Sequence, residues 1–173
     1  TIDNDLSGTD LTLGFDTAVN TVVSLIDKIR DTANSHNRVF FVEVMGRDSG
    51  FIALNSAIAS GASAMMLPET DISVDTLIKM LDTRYKSGKK SSIVIVSEGN
   101  INGNAFELTQ RIKEIQPDFH PRVTVLGHLQ RGGSPSANDR ILAARFSQAA
   151  IEYLLEGKHY GMTGVQQNQM VFV

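Results

Sequence analysis

Apolar positions along the chain follow two alternating patterns. Val19, Val22, Val23, Ile26 and Ile29 recur at helical spacing, and Asp16 stands where an N-cap belongs. Val39 to Met45 is apolar at almost every position, as in a strand buried on both faces. Leu54, Ala57 and Ile58 predict a short helix ending near Gly61, and Ala64 to Leu67 a short strand. Ser73 caps a helix with Leu77, Leu81 and Tyr85 on one face and Gly88 at its close. Ile93 to Val96 reads as another buried strand, and Ala105, Leu108, Ile112 and Ile115 as a helix stopped by Pro117. Val123 to Leu126 predicts a strand and residues 135–156 the longest helix, opened by Ser134 as N-cap and Pro135 as first helical residue. Met170 to Val173 predicts a last strand. Such alternation gives an α/β fold, a parallel sheet flanked by helices.

Composition adds limits. A chain of 173 residues buries one substantial core and is too short for two full-sized domains. A net charge of −3 excludes a general nucleic-acid or membrane surface, so local Arg and His clusters are specific features. The absence of cysteine excludes a disulfide framework and thiolate metal sites. No apolar run approaches the ~18 residues of a membrane span. Thr1 is not an initiator residue, and the expectation is a piece of a longer protein.

The run Gly127-His128-Leu129-Gln130-Arg131-Gly132-Gly133-Ser134-Pro135 follows a strand with two cations, two glycines and an expected helix start. Free N–H groups at that helix end, with the imidazole of His128 and the fork of Arg131, would suit a phosphate. Met45-Gly46-Arg47 repeats the arrangement, a strand ending in Gly-Arg. Arg47, Glu98 and His128 each follow a strand, at the edge where open parallel sheets bind ligands. Arg38 and Arg122 precede strands instead, roughly 20 Å from Arg47 at the rise of an extended chain. They are either plain surface cations or serve a neighbouring copy of the chain. His36, His120 and His159 sit in polar loops and are read as surface residues.

Thr1-Ile2-Asp3-Asn4-Asp5, Gly8-Thr9-Asp10, Gly14 to Ala18, Val42 to Arg47, Ser97-Glu98-Gly99, Arg122 to Pro135 and Asp139-Arg140 occur in an order that resembles the bacterial-type 6-phosphofructokinases. The resemblance runs through nearly the whole chain. It implies a Rossmann-like three-layer sandwich, the sugar-phosphate half of such an enzyme, without the nucleotide-binding half that precedes TIDND. Residues 1–14 would be a catalytic loop leading from that domain, 15–130 the substrate domain, and 131–173 a crossover back. The implied reaction is phosphoryl transfer from ATP to the 1-hydroxyl of fructose 6-phosphate, in glycolysis and in the cytoplasm. Asp3 would be the base, with Thr1 and Asp5 in its loop and Arg47 stabilising the transferred group. Met45 and Gly46 would pack on the sugar and Glu98 accept its hydroxyls. His128 and Arg131 would bind the 6-phosphate together with Arg38 and Arg122 from a partner subunit, in a homotetramer. Mg²⁺ would come with the nucleotide, bound by the other half, and no metal ligand is assigned here. The isolated segment is expected to be inactive. Arg30, Lys89 and Lys90 match effector-binding positions of allosteric members, yet Ser63 and Ser87 stand where those members carry a Glu and a Lys. A pyrophosphate-dependent enzyme and a non-catalytic, effector-binding half of a duplicated one are the alternatives.

Overall fold

The computed structural model describes residues 1–36, 38–89, 91–117 and 119–173. Strands β1 (Val39–Val44), β2 (Ala64–Met66), β3 (Ser92–Ser97) and β4 (Arg122–Val125) form one sheet in the order β2-β3-β1-β4. Every pairing in it is parallel. Helices α1 (Phe15–His36), α2 (Phe51–Ser60), α3 (Val74–Lys86) and α4 (Ala105–Ile115) alternate with the strands. The period of two along β1 sorts its side chains into two cores. Phe40, Val42 and Val44 pack with Ala18, Val22 and Ile26 of α1 and with Ile52, Ala53 and Ala57 of α2. Phe41 turns to the other face, with Leu77, Ile78 and Leu81 of α3 and Leu108 and Ile112 of α4. Each fully buried side chain of this kind contributes about 1.5–3 kcal/mol, which is why the alternation specifies the layers.

Several boundaries differ from expectation, each for a local reason. The strand β4 runs into a 3-10 turn, Gly127–Arg131, and α5 (Ala137–Leu155) begins only after it. Its N-cap is Ser136, whose hydroxyl accepts from the Asp139 N–H, so Ser134 and Pro135 lie outside the helix. The helix thus starts just beyond the Gly-Gly-Ser-Pro stretch rather than within it. At 19 residues α5 is shorter than α1 with 22. Asp16 does not cap α1, because the helix already includes it. The cap comes from α5 instead: the Asp139 carboxylate accepts from Gly14 N–H and Thr17 N–H, each at 2.8 Å, and from the Thr17 hydroxyl.

The terminal strand β6 (Gln169–Phe172) pairs antiparallel with β5 (Thr163–Gln166) in a hairpin apart from the main sheet. Gln167 and Asn168 both take positive φ, 48° and 65°, the turn whose twist suits a two-residue hairpin loop. Arg145 of α5 donates to the Asn168 side chain and carbonyl, pinning that turn.

Candidate functional site

With β3 on one side and β4 on the other, the carboxyl end of β1 is where the exit loops of three strands converge. The β1 loop leaves through Gly46 and Arg47, both at positive φ, 147° and 49°. A non-glycine residue in the left-handed region costs energy, so this turn needs support. Glu98 supplies it. Its Oε1 accepts the Gly46 N–H at 3.2 Å and the Arg47 N–H at 2.9 Å. Behind it, Gly99 lies so close to the Arg47 carbonyl that an added Cβ would overlap that oxygen. The side chains of Arg47 and Glu98 remain exposed, while Met45 is buried in the α1–α2 core and offers the edge its backbone.

The β4 exit carries the expected phosphate ligands on the 3-10 turn, where His128 and Arg131 are both exposed. Between them Gln130 turns inward and is buried. It accepts the Met45 N–H at 3.2 Å and donates to the Gly127 carbonyl at 3.0 Å. The sequence shows Gln130 within a motif but no role for it. Its only signal was its place in the Leu-Gln-Arg run.

The N-terminal loop comes to the same edge. The Ser49 hydroxyl, just beyond Arg47, donates to the Asp3 carbonyl at 3.3 Å. Asp3 is only 7% exposed. Its Oδ2 accepts the Thr1 hydroxyl at 2.9 Å, whereas Oδ1 is buried with no partner among the described residues. Burying a carboxylate oxygen unpaired is costly, and no donor among the described residues offsets that cost. Asp5 is exposed nearby in sequence. Asn4, at φ 57°, accepts from the Thr12 N–H and hydroxyl, and the Asp10 N–H bonds to the Val165 carbonyl at 2.7 Å. The hairpin thus anchors the loop that carries Asp3, a contact with no trace in the local pattern.

Arg38 and Arg122 lie at the opposite, amino edge, Arg122 being the register partner of Phe40, two residues beyond Arg38. Among the described residues none of Arg38, Arg47, Arg122, His128 and Arg131 has a carboxylate within salt-bridge distance. The amino edge also takes Ser63, whose hydroxyl accepts from Ile93 N–H at 3.3 Å, and exposed Lys89. Arg30 donates to the Ser60 carbonyl and so serves the last turn of α2. Lys90 and the His36 side chain lie outside the described residues. His120 and His159 are exposed, as expected. The carboxyl edge thus gathers Thr1, Asp3, Met45, Gly46, Arg47, Glu98, His128 and Arg131, and leaves Arg38 and Arg122 apart from them. No group of three or more metal-ligating side chains occurs among the described residues, and no helix there is long and apolar enough to cross a membrane.

Known proteins resemble the chain in both sequence and fold. The chain is 53% identical over 173 residues to ATP-dependent 6-phosphofructokinase 2 of Bacteroides thetaiotaomicron, covering all of this chain and 53% of that protein. It is 54% identical over 171 residues to ATP-dependent 6-phosphofructokinase of Bacillus pumilus, covering 99% of this chain and 53% of the relative. It therefore spans about half the length of the curated relatives it matches. Phosphofructokinase from Saccharomyces cerevisiae superposes with a TM-score of 0.92 at 34% identity, over all of this chain and 24% of the other. A pyrophosphate-dependent phosphofructokinase from Marinobacter aquaeolei superposes at 0.80 with 25% identity, over all of this chain and 48% of the other. The family model described as phosphofructokinase matches residues 1–154, and on that match, with the motifs at one sheet edge, the chain belongs to the phosphofructokinase family.

Proposed function

We propose that this chain is the sugar-phosphate-binding part of an ATP-dependent 6-phosphofructokinase, with Asp3 as the general base. The carrying observation is the buried Oδ1 of Asp3, without a partner among the described residues, on a loop tied through Ser49 to that of Arg47. In this reading the 1-hydroxyl of fructose 6-phosphate gives its proton to Asp3 Oδ1 as its oxygen bonds to the γ-phosphorus. The bond from phosphorus to the bridging oxygen breaks, and the leaving diphosphate takes the electron pair. Arg47 neutralises charge on the moving group, which costs little reorganisation because its loop is already held by Glu98. His128 and Arg131 hold the 6-phosphate from one subunit, and Arg38 and Arg122 from the next, since one sheet cannot bring both edges to one ligand. An intersubunit site requires an oligomer, and the reading adopts a tetramer.

ATP is the donor this reading adopts, because relatives 53–54% identical carry ATP dependence in their names. Mg²⁺ would travel with the nucleotide. The carboxylates described in this segment form no cluster that would hold the ion alone, and no step is assigned to it. Arg30 and Lys89 remain effector-binding candidates on the far edge, residues 131–173 a crossover toward the nucleotide half, and the cytoplasm the proposed compartment. The test is turnover of fructose 6-phosphate by the full-length protein with ATP or pyrophosphate. Formation of fructose 1,6-bisphosphate with ATP supports the reading. Turnover with pyrophosphate alone overturns the donor, and none with either overturns the activity.

A further inference from the structure

The ladder between β1 and β4 ends in an unusual way. Backbone carbonyls of β1 alternate in direction, Glu43 accepting from Leu126 N–H of the β4 side and Val44 from Glu98 N–H of the β3 side. The Met45 N–H therefore points to the β4 side, just where β4 has left the sheet through Gly127 at φ 48°. A buried N–H without a partner costs about 1–3 kcal/mol. The Gln130 side chain, 1% exposed, takes the place of the missing strand residue: Oε1 accepts Met45 N–H and Nε2 donates to Gly127 O. In a 3-10 turn, residues three apart lie above one another, so pinning Gln130 over Gly127 sets the rotation of the whole turn. That rotation sends His128 and Arg131 to solvent on the same edge as Arg47.

We propose that Gln130 is a positioning residue for the sugar-phosphate site. Its amide, donor and acceptor at once, fixes the turn of His128 and Arg131 against the Met45–Arg47 loop. The amide carries a donor and an acceptor on one stem; methionine fills the volume and offers neither. The inference rests on the proposed function, and its test keeps the two apart.

The experiment compares wild-type full-length protein with Gln130→Met, alone and combined with Arg131→Ala. Readouts are kcat, KM for fructose 6-phosphate, KM for ATP, melting temperature, and amide exchange of the peptide containing Met45. Gln130→Met is expected to raise the sugar-phosphate KM about tenfold, the size of one lost buried hydrogen bond, with ATP KM and kcat changed less than about threefold. Exchange at the Met45 peptide should speed up. Arg131→Ala should cost less in KM on the Gln130→Met background than on wild type, since a displaced arginine has less to lose. Gln130→Asn, an amide one methylene short, should behave likewise and serves if the methionine variant does not fold. An unchanged sugar-phosphate KM in a folded variant overturns the proposal. So does full additivity with Arg131→Ala, or failure of both Gln130 variants to fold, which would make the amide a requirement of the fold alone. Wild-type protein that does not turn over fructose 6-phosphate would instead fail the proposed function itself.

Discussion

The Glu98 carboxylate receives the Arg47 backbone N–H at 2.9 Å, bridging the exits of the two central strands. One oxygen thereby holds Arg47 in a left-handed backbone that it would not adopt unaided. Glu98→Gln keeps an acceptor oxygen and Glu98→Ala does not. The alanine variant should raise the sugar-phosphate KM and lower kcat together, because the loop of Arg47 is released. The glutamine variant should retain most of kcat. Equal kcat losses in the two would show that charge, rather than the bond to the loop, is what Glu98 supplies.

Gly99→Ala tests the same junction sterically. Its Cβ would have to occupy the position of the Arg47 carbonyl oxygen, a backbone atom with no room to retreat. Activity should fall at least tenfold, with a melting temperature lowered by several degrees, as overpacking of about 1–3 kcal/mol implies. Wild-type kinetics in this variant would mean the two loops are looser than described.

Asp139→Ala removes the acceptor for Gly14 N–H, Thr17 N–H and the Thr17 hydroxyl at one stroke. Loss of a cap with this much bonding should destabilise by about 1–3 kcal/mol, read as a shift in denaturant midpoint without a change in slope. Asn keeps an oxygen and should cost less. A change below a few tenths of a kcal/mol in Asp139→Ala would mean that water replaces the carboxylate at the start of α1.

The layered sheet was legible because buried parallel strands and amphipathic helices write their period locally, as Val39 to Val44 and Leu77, Leu81 do. The placement of Arg47, Glu98 and His128 at one edge followed from strand direction alone. What escaped depends on contacts far apart in sequence. Asp139 caps a helix more than a hundred residues earlier, so Asp16 looked like the cap. The hairpin turn at Gln167 and Asn168 lacks glycine, and the hairpin bonds to the loop through Val165 N–H to the Thr9 hydroxyl and Gln167 N–H to the Asp10 carboxylate. The Ser134-Pro135 pair carries a strong start signal, yet the Ser136 and Asp139 pairing two residues on won. Gln130 was hidden by its neighbours, since a buried amide between exposed Leu129 and Arg131 has no periodic signature.

Arg38 and Arg122 test the intersubunit reading. Replacing either by Ala in the full-length oligomer should raise sugar-phosphate KM by roughly ten- to a hundredfold, the value of a charge-assisted hydrogen bond, and spare kcat. Hybrids of Arg122→Ala with Asp3→Ala subunits should recover activity that neither parent has at low substrate, because some sites then hold both residues intact. Confirmed hybrids without recovery would place both arginines within their own subunit or outside the site.

The most direct measurement is steady-state kinetics of Asp3→Ala in the full-length protein. Its Oδ1 is a buried carboxylate acceptor without a partner among the described residues, so removing it should act on the transition state and hardly on ground-state binding. The account predicts a kcat lower by about 10²–10⁴ with a sugar-phosphate KM changed only a few-fold. A kcat equal to wild type would contradict it.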